Sequence, residues 1–138
     1  MRQALHRFTQ ATRGKNLYDV TPEVGRWVAA QDIGTGLLTV FCRHTSASLL
    51  IQENADPTVR ADMARYFERI APEGAGYEHD DEGPDDMPAH LRTALTQTSL
   101  AVPVGGGRPL LGTWQAIYLF EHRTRPHRRE IVLHLLGE

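Results

Sequence analysis

The side chains that could do chemistry are concentrated in residues 78–90, which hold six carboxylates and two histidines, His79 and His90. The glycine and prolines of this stretch fit neither a helix interior nor a central strand, so we expect a structured loop. Imidazoles among carboxylates indicate a metal site or a general acid–base site. A merely solvated acidic loop is the alternative, because the spacing of the two histidines matches no familiar zinc motif.

His44 offers a third imidazole. It follows the apolar run Leu37–Phe41, which is typical of a buried strand, and the small residues after it leave space for its ring. Three neutral imidazoles with an open position would form a catalytic type of zinc site, in which Asp80 or Glu53 could orient a ring by hydrogen bonding. A histidine that is hydrogen-bonded for structural reasons is an equally good interpretation of His44.

These candidate ligands need elements to hold them. Asp85 or Asp86 can cap a helix with Pro88 in its first turn, which would place His90 near the start of that helix. The remaining pattern predicts helices that start at Thr21 and Asp56 and strands at Gln3–Thr12, Leu17–Val20, Leu37–Phe41, Leu49–Ile51, Ser99–Val104, Gly112–Glu121 and Ile131–Leu136. Strands and three helices without regular alternation indicate one α+β domain over residues 1–138, with a largely antiparallel or mixed sheet.

Three weaker motifs suggest other chemistry. Ser46 and Ser48 could belong to a nucleophilic triad, but no Gly-x-Ser-x-Gly elbow occurs. The basic turn Arg123–Arg129 could bind phosphate through forked guanidinium contacts, although charged hairpin turns are usually only solvated. The three glycines at 105–107 predict a tight reversal, because no Gly-Lys-Ser/Thr sequence follows them.

Composition restricts the compartment and the partners. A chain of 138 residues with 41% hydrophobic and 23% charged residues fits one globular domain. The formal net charge of -2 supplies no basic excess for nucleic acid. Cys42 is the only cysteine, so no internal disulfide forms. We find no signal peptide and no apolar run long enough for a membrane span, and we therefore expect a cytoplasmic protein without a membrane partner.

Several sequence blocks together resemble one known family. The blocks are His44–Leu49, Glu53–Pro57, Tyr77–Asp80, Gly83–His90, Leu111–Gln115 and Glu121–Arg123. They occur in order along nearly the whole chain and resemble the YjbQ-like family, also called the secondary thiamine-phosphate synthase family. The resemblance implies a small α+β domain, assembly as a homotrimer, a histidine-rich metal or ligand site, and a weak ability to form thiamine phosphate.

Residue types and positions, together with the family blocks, give expected roles to individual residues. The expected metal ligands are His44, His79 and His90. The expected catalytic residues are Asp80, Glu53 and Gln115. The expected substrate contacts are Thr45, Ser46, Ser48, Asn54, Thr113 and Arg123. The family reaction joins a pyrimidine diphosphate to a thiazole phosphate with loss of pyrophosphate, so we expect a small phosphorylated metabolite as the partner.

The expected site and the expected reaction favour different metals. Three histidines favour zinc, whereas departure of pyrophosphate is usually assisted by magnesium with oxygen ligands. A histidine-bound metal that holds a phosphate oxygen as a Lewis acid would reconcile the two. Two other interpretations stay open. In one the protein is a metal-dependent hydrolase of phosphate esters, and in the other it is a non-catalytic protein that binds a phosphorylated metabolite.

The predicted strand that follows Gly112 bears on both the pocket and the oligomer. Alternation places Thr113 and Gln115 on one face, where they could contact a substrate, while Trp114 packs in the core on the other face. The strand then carries apolar side chains on both faces, and both need cover. One small domain with three helices leaves part of this surface for a contact between subunits.

Overall fold

The computed structural model describes residues 1–138 and contains three helices and eight strands. In chain order the elements are β1 (Arg2–Thr12), β2 (Asn16–Asp19), α1 (Thr21–Ala30), β3 (Gly36–Cys42), β4 (Ala47–Glu53), α2 (Pro57–Ile70), α3 (Asp86–Leu95), β5 (Ser99–Gly105), β6 (Arg108–Pro109), β7 (Gln115–Glu121) and β8 (His127–Gly137). None of the helices is long and apolar enough to cross a membrane.

The strands form two antiparallel sheets. A five-stranded sheet has the order β1-β8-β3-β5-β6, and a three-stranded sheet has the order β2-β7-β4. Every strand pair is antiparallel. This architecture confirms the predicted α+β class with three helices and a largely antiparallel arrangement.

A local sequence signal explains the start of α2, whereas α1 begins differently from the prediction. The Asp56 carboxylate caps α2 by accepting from the Thr58 backbone N–H at 2.9 Å. Thr21 does not cap α1 as predicted, because it is the first helical residue and its hydroxyl accepts from the Ile117 backbone N–H at 2.8 Å. Its side chain therefore ties α1 to β7.

Two apolar clusters hold the sheets and helices together. The larger one packs α1 and the inner face of the five-stranded sheet against Ile117 and Leu119 of β7. The smaller one packs Phe67 of α2 against Tyr118 and Phe120 on the opposite face of β7. The predicted alternation along β7 is therefore confirmed, and both faces of the strand are covered within one chain.

Three local predictions differ from the structure. Trp114 is not a core residue, because it precedes β7 and is 62% exposed. The basic turn is shorter than predicted, since β8 already begins at His127 and Arg129 is buried in it. The outward face of the five-stranded sheet, and not β7, carries a group of exposed apolar side chains. Its exposed members are Leu5, Leu37, Phe41 and Leu136.

Candidate functional site

Asp86 and His90 form the rigid part of a potential metal site. They are the first and fifth residues of α3, and a spacing of four places two side chains on the same helix face. The Asp86 Oδ2 atom lies 3.3 Å from the Nε2 atom of His90. Asp86 is buried, whereas the His90 ring is partly exposed, so the pair opens to solvent on the side of His90.

His79 completes the cluster from the preceding loop. Its Nε2 atom donates to Asp86 Oδ2 at 2.7 Å and lies 3.0 Å from a carboxylate oxygen of Glu82. One ligand atom each from His79, Asp86 and His90 fall within 4.8 Å of one another. The prediction that His79 folds back toward His90 agrees with this geometry, because the two ring centroids are 5.5 Å apart.

The orientation of the His90 ring follows from its second contact. Its Nδ1 atom lies 3.0 Å from the backbone carbonyl oxygen of Thr45. A carbonyl only accepts hydrogen bonds, so Nδ1 carries the ring proton. The Nε2 atom then faces the Asp86 carboxylate, where a proton or a metal ion would join the two. Metal-ligating histidines commonly use this arrangement, in which a backbone carbonyl fixes the tautomer.

Arg123 holds the Asp86 carboxylate in place. Its guanidinium donates to Asp86 Oδ1 at 2.6 Å, to Asp85 Oδ2 at 2.9 Å and to the Glu82 carbonyl oxygen at 2.8 Å. The Asp85 carboxylate also accepts from the Thr124 backbone N–H at 2.8 Å, and it makes no cap bond to α3. Arg123 therefore joins the loop after β7 to the start of α3.

Charges around the cluster favour ionised carboxylates. Burial opposes ionisation of Asp86, but the hydrogen bond from His79 and the charge of Arg123 lower the pKa of Asp86 below its usual range. Burial is likewise outweighed at Asp85, where the Thr124 N–H and Arg123 lower the pKa to about 2. The hydrogen bond to Asp86 raises the pKa of His79. The cluster thus attracts a cation, whether a proton or a metal ion.

A cavity of about 430 Å³ adjoins His79. Asp80, Tyr77 and Met87 line it together with glycines and a proline of the loop. Gly83 adopts a φ of 102° beside the Asp85 side chain, a conformation that a residue with a side chain rarely adopts. The cavity has the size of a small-molecule site and lies next to the potential metal ligands.

His44 lies near this cluster but outside it. Its Nε2 atom accepts from the Glu130 backbone N–H at 2.7 Å, so the proton of the neutral ring is on Nδ1. Burial and the nearby charge of Arg129 lower the pKa of His44. Its chain neighbour Thr45 supplies the carbonyl that binds His90, so His44 and the cluster are joined through the backbone.

The two candidate serines lie in separate hydrogen-bond networks. Ser48 lies between His122, whose Nε2 atom is 2.9 Å from Ser48 Oγ, and Thr96, whose hydroxyl is 2.6 Å away. Ser46 accepts from the Arg129 guanidinium at 3.1 Å. Arg129 in turn pairs with the buried Glu121 carboxylate. Ser48 therefore connects β4 to neighbouring elements, and Ser46 ties the loop just before β4 to β8.

The remaining candidates form a second group at the other end of β4. The Gln115 Oε1 atom accepts from the Gly112 backbone N–H at 2.8 Å, and Asn54 Nδ2 donates to the Thr113 carbonyl at 3.3 Å. Glu53 pairs with Gln115 in the β4–β7 register. Six residue steps separate Ala47 from Glu53, which corresponds to about 20 Å along a strand. Within one chain this group is therefore far from His90.

Asp86 is the site residue that sequence reasoning did not single out. The sequence suggested only a capping role for it. The usable signal was its spacing of four from His90 within a helix that starts at Asp86, which brings a carboxylate and an imidazole to one face. His122, buried beside Ser48, was also missed as a polar core residue.

Comparisons with known proteins place the chain among close relatives. A family described as UPF0047 protein YjbQ-like matches residues 6–138. The UPF0047 protein sll1880 of Synechocystis sp. is 54% identical over 129 residues, which covers 93% of this chain and 88% of that protein. The UPF0047 protein YjbQ of Escherichia coli O157:H7 is 45% identical, with 94% of this chain and 95% of that protein covered.

Solved structures agree with this assignment. An uncharacterised YjbQ/UPF0047 protein of Clostridium acetobutylicum superposes with a TM-score of 0.88 at 30% identity, with 95% and 99% of the two chains covered. The conserved hypothetical protein TT1486 of Thermus thermophilus has a TM-score of 0.83 at 34% identity, with 95% of this chain and 99% of that chain covered. Sequence and fold therefore agree, and this chain belongs to the YjbQ-like family, UPF0047.

Proposed function

We propose that His79, Asp86 and His90 bind one divalent metal ion, zinc by ligand type, and that the protein is an enzyme acting on small phosphorylated molecules. The observation that carries this proposal is the contact between His90 Nε2 and Asp86 Oδ2 at 3.3 Å. Nδ1 of His90 is engaged by the Thr45 carbonyl, which directs Nε2 at the carboxylate. A metal ion between the two atoms would be bound by the ring nitrogen and attracted by the carboxylate charge.

The donor set fits zinc. Ligand atoms of a tetrahedral zinc site lie about 3.3 Å apart, given metal–ligand distances of about 2.0 to 2.1 Å. The contact between Asp86 and His90 already has this spacing, and the 2.7 Å contact between His79 and Asp86 must open slightly. Two histidines and one carboxylate leave a fourth position for water or substrate, as in catalytic zinc sites.

The protein side chains would position this chemistry. A bound zinc ion supplies a Lewis acid that polarises a phosphoryl oxygen. Arg123 fixes the Asp86 carboxylate, and the Thr45 carbonyl fixes the His90 ring. Asp80 is the carboxylate that lines the adjoining cavity, and it would accept a proton from a nucleophile there. Magnesium, carried in with a pyrophosphate group, is compatible with an open cavity of this size.

Formation of thiamine phosphate from a pyrimidine diphosphate and a thiazole phosphate is the specific reaction that we propose as a secondary activity. Hydrolysis of a phosphate ester is the second candidate, and it is favoured by the pairing of two histidines with one carboxylate, which is common in zinc hydrolases. Non-catalytic binding of a phosphorylated metabolite in the same cavity is the third.

One experiment separates these candidates. Purified protein is incubated with zinc or with a chelator and presented with the two thiamine precursors or a panel of phosphomonoesters. Asp86→Asn removes the central ligand charge, while Glu78→Gln removes an exposed carboxylate of the same loop and serves as the control. Chelator-sensitive product formation that Asp86→Asn abolishes supports the enzyme. Saturable binding without turnover supports the binding protein.

We also propose a homotrimer. The four exposed apolar side chains on the outward face of the five-stranded sheet support this assembly, since contiguous apolar surface commonly marks an interface. Leu37 and Leu136 are direct neighbours in the β3–β8 register, so the patch is continuous across the two strands. Light scattering at micromolar concentration tests the assembly, and a monomer would contradict it.

A further inference from the structure

A second cavity, of about 70 Å³, lies between α2, α3 and the β2–β7 pair. Arg60, Ala64 and Glu68 contribute one face of α2, and Leu17 and Phe120 form an apolar floor. A water molecule needs about 10 to 15 Å³ of such volume, so the cavity accommodates several waters or one anion of about five heavy atoms.

The charges around this cavity are unbalanced. Lys15, Arg60 and Arg92 all line it, and Glu68 is the one carboxylate among the lining residues. Glu68 is shared, because it accepts from Lys15 at 2.6 Å and lies 3.4 Å from the Arg92 guanidinium. Three positive charges and one negative charge leave a net charge of two positive units at the cavity wall.

Arg60 has only neutral partners. Its guanidinium donates to the Glu53 carbonyl oxygen and to the Tyr118 hydroxyl, both at 3.3 Å. No carboxylate lies within ion-pair distance of it. A partly buried guanidinium whose hydrogen-bond partners are neutral still attracts an anion.

The buried side chain of Arg92 is a second, independent indication of an anion site. Its side chain is only 4% exposed, one terminal nitrogen donates to the Ala71 carbonyl at 3.1 Å, and its Nε–H has no hydrogen-bond partner. Burying a charged donor without an acceptor is unfavourable. An oxyanion in the cavity that Arg92 lines would accept hydrogen bonds from such a guanidinium.

We propose that this cavity is a binding site for a small oxyanion of phosphate size, held by Arg60, Arg92 and Lys15. Glu68 competes with the anion, because its half-exposed carboxylate already pairs with Lys15 and Arg92. The site is separate from the metal cluster. Arg92 and His90 are two residues apart on α3, which places them on different faces of the helix.

Calorimetric titration of inorganic phosphate into metal-free protein tests this site. The His90→Ala background removes phosphate binding at the metal cluster, and sodium chloride keeps the ionic strength constant. We expect saturable binding with one site per chain. Arg60→Gln should weaken it by about tenfold, because a charge-assisted hydrogen bond is lost, and Arg60→Lys should weaken it less. Glu68→Gln should tighten it by removing the competing charge.

Arg65→Gln is the matched control. Arg65 lies on the same helix but is exposed and pairs only with Asp62, so phosphate affinity should stay unchanged. Circular dichroism confirms that each variant is folded. Absence of saturable binding in the His90→Ala protein would overturn the proposal. Equal effects of Arg60→Gln and Arg65→Gln would overturn it as well, as would a Glu68→Gln protein that binds phosphate no more tightly.

Discussion

The Arg123 guanidinium donates to Asp86 Oδ1 at 2.6 Å, which leaves Oδ2 of the same carboxylate directed at His79 and His90. One oxygen is thus held by the fold and the other faces the two imidazoles. Asp86 therefore belongs both to a structural ion pair and to the proposed metal site. Arg123 holds the carboxylate of this ligand in place.

Replacing His90 by alanine should lower zinc affinity at least about 100-fold, because the loss of this helix-held ligand leaves only His79 and Asp86 at the proposed site. Competition with a chromophoric chelator measures this affinity. Asp81→Asn is an informative companion, since Asp81 belongs with His79 and Glu82 to a second, fully exposed group of possible ligands. A stronger effect of Asp81→Asn than of His90→Ala would move the metal to that group.

Arg123→Gln should lower the free energy of unfolding by about 3 kcal/mol, because Asp85 and Asp86 would be left buried without their cation. Zinc affinity should fall by about tenfold in the same variant as the Asp86 carboxylate loses its orientation. Urea unfolding measures the first effect. Arg125→Gln, an exposed neighbour in the same turn, should change neither quantity.

His122 should make the protein sensitive to acid. Burial, assisted by the charges of Arg92, Arg129 and Lys15, lowers the pKa of His122 to about 3. In the unfolded chain the same ring takes up a proton near pH 6.5. The contribution of neutral His122 to the free energy of unfolding is therefore fully present above pH 6.5 and is lost as the pH falls toward 3. The loss is about 1.4 kcal/mol per pH unit.

A His122→Gln variant measures this contribution. Its free energy of unfolding, determined in urea between about pH 7 and pH 4, should fall less steeply with acid than that of the wild-type protein. A glutamine amide can still hydrogen-bond to Ser48, so the comparison isolates the titration of the ring. Identical slopes for the two proteins would show that His122 is protonated in the folded state.

Gln115→Ala distinguishes a role in the turn from a role in binding. The Gln115 side chain accepts from the Gly112 backbone N–H, and its loss should cost about 1 kcal/mol of stability with zinc affinity unchanged. Thermal unfolding and chelator competition on the same samples give both values. Weakened ligand binding at an unchanged melting temperature would instead assign Gln115 to the pocket.

Local sequence patterns were sufficient to predict most of the fold. The Asp56-Pro57 start of α2 and the alternation along β7 depend on neighbouring residues, and both appear as predicted. The exposure of Trp114 was not predictable in this way. It depends on where β7 begins relative to the Gly112 turn, and the sequence signal for a strand extends across that turn.

In the candidate site, too, contacts between residues close in the chain were predictable, and the positions of distant residues were not. His79 and His90 are close in the chain and meet, because a short loop returns to the start of a helix. Glu53 and Gln115 come from distant segments, and the β4–β7 register carries them to the far end of a strand. Whether such residues share a site depends on strand register, which a single sequence does not encode locally.

The most direct test of the proposed metal site is an anomalous difference map, recorded at the zinc absorption edge from crystals grown with zinc. We predict one strong peak per chain, about 2.0 to 2.2 Å from Nε2 of His79, Nε2 of His90 and a carboxylate oxygen of Asp86. A map without a peak there, or with its main peak at His44 or at the Asp81 and Glu82 carboxylates, would contradict the proposal.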